Sequence, residues 1–149
     1  MSELLYFEDL PAGRVLHSAR TITMERERII GFAREFDPHP GHTSEETARE
    51  SSFGELVASG WHTAASVCRL IVETTPIAGG GMGGGVELRW KRPVRPGDTL
   101  RITMEVLTAR DSATRPGWGI ATIRTTAYNQ HDEPVLVMNS TNFLPRRPG

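Results

Sequence analysis

The chain predicts an α+β fold in which one curved antiparallel sheet wraps a single long buried helix. Three observations carry that expectation. The apolar period is helical in the first half of the chain and switches to two after the glycine run at positions 79–85. The segment Gly60–Thr75 is apolar around almost its whole circumference, the pattern of a helix enclosed on every side. Four β-rich runs follow it, divided by turn residues, which is the order of an antiparallel sheet and not of alternating βαβ units.

The elements follow in order. Tyr6–Gly13 reads as an irregular lead-in closed by a turn, and Arg14–Ile22 as a first strand. Thr23 is a candidate N-cap, with Glu25 and Glu27 in the first turn, where the helix dipole favours anions. Ile29, Phe32, Ala33 and Phe36 then form one apolar stripe, and Asp37-Pro38 stops that helix because a residue before proline avoids the α region. Ser44 caps a short polar helix, and Ser59 or Gly60 opens the long one. Gly79–Gly85 reads as a flexible connection. Beyond it Val86, Leu88 and Trp90 alternate with polar residues, as do Leu100, Ile102, Met104 and Val106. Gly117–Tyr128 and Pro134–Leu144 complete a four-stranded meander, with hairpin turns at Pro96-Gly97-Asp98 and Asn129–Asp132.

A length of 149 residues suits one domain, 1–149, and 38% hydrophobic with 23% charged residues is a soluble globular balance. The net charge of −1 leaves no electrostatic footprint for nucleic acid or an anionic membrane. No apolar run is long enough to span a bilayer, and the N-terminus from Met1 to Tyr6 lacks the pattern of a signal peptide. The lone Cys68 excludes an internal disulfide and fits a reducing compartment. The expectation is a cytoplasmic protein without nucleic-acid or membrane partners.

Asp37-Pro38-His39-Pro40-Gly41-His42 is the densest chemistry in the chain. Two prolines and a glycine make it a loop, and it holds one carboxylate and two imidazoles between two helices, as a proton-transfer site would. Asp before Pro also serves simply as a helix stop, and Asp37, His39 and His42 could instead be metal ligands, although such a site needs more donors than these.

Three segments together resemble the MaoC-like, (R)-specific enoyl-CoA hydratase family of the hot-dog fold: Asp37–His42, Phe53–Ala64 entering the long helix, and Arg92-Pro93-Val94-Arg95-Pro96-Gly97-Asp98; the lead-in Tyr6–Gly13 also fits. The family pattern is Asp-x-Asn-Pro-x-His. Asp37, Pro40 and His42 keep their places, and His39 stands where the family usually has Asn. The resemblance implies hydration of a 2-enoyl thioester, or the reverse dehydration, with Asp37 and His42 gripping one water and the Gly60 N–H stabilising charge on the thioester oxygen. A helix N-terminus suits that last task, since its first N–H groups lack intrahelical partners and lie at the positive end of the dipole. His39, Ser59 and Trp61 are then candidates for the substrate site. Arg89, Lys91 and Arg92 are candidates for the CoA phosphates, beside the simpler reading of a solvated strand face. No cofactor is expected other than the CoA of the substrate, and no metal.

Two other functions remain open at this point. A hot-dog thioesterase would use a carboxylate on the central helix, but Glu73, the one candidate, lies far from its N-terminal end. A non-catalytic acyl-CoA-binding module is the other, with His39 as its support. Trp61 and Trp90 serve equally as core or interface packing, His62 as a satisfied histidine, and Cys68 as inert packing. Because a sheet around one helix leaves an exposed edge, a homodimer or dimer of dimers is expected.

Overall fold

The computed structural model describes residues 3–149; Met1 and Ser2, which belong to the N-terminal signal-peptide reading, lie outside the described residues. In chain order the elements are β1 (Val15–His17), β2 (Ile22–Thr23), α1 (Arg26–Phe36), α2 (Pro40–Thr43), α3 (Glu45–Arg49), α4 (Gly60–Thr74), β3 (Met82–Trp90), β4 (Thr99–Asp111), β5 (Trp118–Tyr128) and β6 (Pro134–Pro145). The sheet is antiparallel in order β1-β4-β5-β6-β3, with β2 pairing β4 as well. The α+β expectation holds, and so does the inward alternation of β4: Leu100, Ile102, Met104 and Val106 are all buried. They meet Val67 and Leu70 of α4 in one core that also takes in Ile29 and Ile30 of α1.

The meander is shorter than expected. β4, β5 and β6 are consecutive neighbours, but β3 crosses to the far side and pairs with β6. The Pro96-Gly97-Asp98 turn, with Gly97 at φ +89°, therefore starts a crossover and not a hairpin. The predicted first strand also divides, because only Val15–His17 and Ile22–Thr23 reach β4. Thr23 pairs with Thr99 in that contact, so it does not cap α1; Glu25 occupies the cap position without a side-chain bond. Of the α1 stripe, Ile29 and Ala33 are buried, whereas Phe36 is 65% exposed.

The glycine run is not a free connection. Met82–Gly85 is already strand, bulged between Gly83 and Gly85, and a Cβ on Gly84 would lie 2.5 Å from the Phe143 ring. The backbone needs glycine there because the ring of the paired strand fills the space a side chain would take.

Nor is α4 enclosed on all sides. Thr63, Val67 and Leu70 are buried at helical spacing, but Trp61 (58% exposed) and Val72 (60%) lie with Ala65 and Cys68 on an open stripe. The chain's own sheet covers one side of the helix only. Beside that stripe, β3 is exposed along nearly its whole length and pairs on one edge only, with β6.

Candidate functional site

Asp37 is the residue after the last turn of α1; its N–H still bonds the Ala33 carbonyl while its φ of −149° leaves the helix. Pro38 forbids continuation. Pro40 then starts α2 at the first helical position, where a missing N–H costs nothing. The sequence reads as a loop throughout here, yet this single turn is helical and enters the core. Gly41 and His42 are buried, with Gly41 so close to Phe53 that a Cβ would fall 2.9 Å from its ring.

His42 Nδ1 lies 2.7 Å from the Val57 carbonyl oxygen. A carbonyl only accepts, so Nδ1 carries the proton, and Nε2 of the neutral ring is an acceptor. That Nε2 faces Asp37 Oδ2 at 3.7 Å, too far for a direct hydrogen bond. Two acceptors at that spacing can be served together by one donor with two hydrogens. Asp37 is fixed on both oxygens: Ser59 Oγ donates to Oδ2 at 2.6 Å, and His39 Nδ1 contacts Oδ1. The Ser59 bond holds the Asp37 carboxyl below the usual carboxylate range, against the opposing effect of burial, and His39 adds to the lowering. Asp37 is a carboxylate at neutral pH.

Ser59 is completely buried and is also the N-cap of α4, accepting the Trp61 N–H at 3.2 Å. Gly60 follows it. Among the described residues no backbone carbonyl accepts the Gly60 N–H, and Gly60 lines a cleft of about 390 Å³ that Asp37 and His42 also line. The Trp90 indole donates to the Gly60 carbonyl at 2.8 Å and packs so closely that a Cβ on Gly60 would sit 2.7 Å from Nε1. The glycine is thus demanded by a tryptophan on β3, whose ring stands edge-on to Trp61 at 5.2 Å.

Trp61, Lys91 and Arg92 line the same cleft, so six of the nine residues singled out in the sequence share it. Ser59 and His39 act from behind, on Asp37. His39 is 78% exposed. Arg89 lies outside the cleft wall and pairs with Glu87 on its own strand. Arg92 is bonded to Glu133 at 3.0 Å, whereas the Lys91 side chain makes no ion pair among the described residues. Sequence reasoning missed Val57, whose contribution is a main-chain oxygen and leaves no side-chain signature. It also gave Trp90 only a packing role. Among the described residues no group of three His, Cys, Asp or Glu side chains is arranged to hold a metal ion. Glu73 is gripped by Arg20 and Arg69 near the far end of α4, which holds it down to about 2.

A carboxylate and an imidazole thus face each other across 3.7 Å in a cleft that the first residue of α4 also lines, on an α+β scaffold. Residues 9–129 match the MaoC like domain, and the chain belongs to the MaoC-like dehydratase family. A solved MaoC-like dehydratase from Rhodospirillum rubrum shares 44% identity and superposes with a TM-score of 0.91 over 97% of this chain and 99% of that one. The (R)-specific enoyl-CoA hydratase of Rhodospirillum rubrum is 30% identical over 103 residues, covering 69% of this chain and 70% of that protein. Mesaconyl-CoA hydratase of Haloarcula marismortui is 31% identical over 109 residues, and the match spans only 30% of its length. The fold is the hot-dog fold of these neighbours.

Proposed function

We propose that the protein is an (R)-specific hydratase of trans-2-enoyl-CoA thioesters, or the dehydratase of the corresponding 3-hydroxyacyl-CoA. The observation that carries this reading is the 3.7 Å gap between His42 Nε2 and Asp37 Oδ2, beside the Gly60 amide. Water donates one hydrogen to each acceptor, which leaves an oxygen lone pair free to attack C3. As the O–C3 bond forms, one proton passes to His42 Nε2, the stronger acceptor because hydrogen bonding stabilises the Asp37 carboxylate. The new imidazolium is stabilised by Asp37, and charge developing on the thioester oxygen is met by the Gly60 N–H. The proton returns to C2, so the proton count closes without an external acid or any cofactor.

Lys91 and Arg92 at the cleft are the groups in reach of CoA phosphates. The open α4 stripe and the free β3 edge favour a second copy of the chain as partner, giving a homodimer or a dimer of dimers. Among the described residues no helix is long and apolar enough to cross a membrane, and the free Cys68 supports a cytoplasmic setting.

The deciding experiment is hydration of crotonyl-CoA and longer enoyl-CoAs by the purified protein. Turnover should fall by about 10²–10⁴-fold in Asp37→Asn and in His42→Ala. No turnover across the series, or full activity in both variants, would overturn the reading.

A further inference from the structure

A cavity of about 600 Å³ lies between α4 and the sheet; Thr63 of α4 lines the cleft and the next residue, Ala64, lines the cavity. Its walls are mostly apolar, and among the described residues none is charged. One of the polar wall positions stands out. Thr125 is 1% exposed, yet its hydroxyl has no hydrogen-bond partner. It stands on β5 directly between Met104 of β4 and Met138 of β6, which line the same cavity. Ser140 and Asn142, on the same face of β6, line it too; Asn142 Nδ2 donates to Ser140 Oγ at 3.0 Å, and Ser140 Oγ donates to the Ile123 carbonyl. The Thr125 hydroxyl is left over. Valine has the same shape, and a buried hydroxyl without a partner costs stability that valine would not.

We propose that this cavity receives the acyl tail of the thioester and that the Thr125 hydroxyl hydrogen-bonds an uncharged polar atom on that tail, such as a hydroxyl, ether, ketone or amide oxygen. The proposal rests on the acyl-thioester reading above and names its substrate class. A carboxylate tail is disfavoured, because a buried anion needs a cation and the walls supply none. The flanking methionines can adjust around tails of different shape.

The test is binding, by calorimetry, of saturated decanoyl-CoA and of analogues in which one methylene beyond C4 is replaced by an ether oxygen at successive positions. At one position the oxygen should favour the wild type over Thr125→Val by about 3- to 10-fold more than decanoyl-CoA does, and Thr125→Ser should keep the preference. Absence of such coupling at every position overturns the proposal. Crotonyl-CoA hydration separates this from the catalytic reading. Turnover without coupling sinks the tail assignment alone, and coupling without turnover sinks the hydratase alone.

Discussion

Ser59 donates its hydroxyl proton to Asp37 Oδ2 at 2.6 Å, and its oxygen at the same time caps α4 through the Trp61 N–H. One buried side chain therefore ties the position of the carboxylate to the helix end that carries the Gly60 amide. A shift of either the carboxylate or the helix end strains a bond to this shared hydroxyl. Ser59→Ala should lower kcat by about tenfold or more, the worth of a hydrogen bond to a charged group. Loss of the cap should cost about 1 kcal/mol of stability. Steady-state kinetics and a denaturant titration read the two effects, and Ser59→Thr should rescue the first more than the second. Unchanged kcat in Ser59→Ala would show that the bond does not position Asp37.

On the proposed mechanism Asp37 and His42 act on one water, so their contributions should not add. Once either is replaced, the other has nothing left to share. The double variant Asp37→Asn/His42→Ala should be within about tenfold of the worse single variant, as groups acting as a unit behave. Additive losses, multiplying the two single effects, would mean that each residue serves a separate step.

Gly60→Ala should be damaging for a reason that can be dissected. The new methyl would fall 2.7 Å from Trp90 Nε1 and 2.8 Å from Cε2, so the indole must move and its bond to the Gly60 carbonyl must break. A cost of about 1–3 kcal/mol is expected, typical of overpacking. Combining it with Trp90→Ala should restore the space, so the double variant should be more stable than the sum of the singles predicts. Thermal denaturation of the four proteins completes the cycle.

Much of this geometry was legible beforehand, and the illegible parts share a cause. The alternation of Leu100–Val106 specifies a buried strand face wherever the strand lies, so it gave β4 correctly and said nothing of β3 crossing to β6. The apolar circumference of α4 specifies burial but not by whom; Trp61 and Val72 await a cover that the chain's own sheet does not provide. The spacing of Asp37 and His42 is legible in sequence because it is their side chains that face the cleft. The Val57 carbonyl does not, because any residue could supply it. The cations at Arg89 and Arg92 read as one cluster in sequence, yet each has a nearby carboxylate, one of them brought from the β5–β6 turn by folding.

Another imidazole, on α4 itself, carries a pH dependence separate from the Asp37–His42 cleft. His62 stacks on Phe32 at 4.9 Å with its ring nearly parallel, and its buried Nδ1 has no hydrogen-bond partner. Burial pushes its pKa below the ordinary 6.5, and the nearby Arg28 pushes the same way. The folded protein therefore holds His62 neutral at a pH where the unfolded chain binds a proton. Unfolding then takes up a proton, and stability rises with pH across that window. The contribution is fully present above pH 6.5 and is lost as pH falls below it toward the lowered folded value. Replacing His62 by Phe keeps the stack and removes the titration. Between pH 7.5 and 5.5 the wild type should lose stability more steeply than His62→Phe, measured by urea midpoints at each pH with unchanged slope m. Parallel curves for the two proteins would mean that His62 reaches solvent and a proton in the native state.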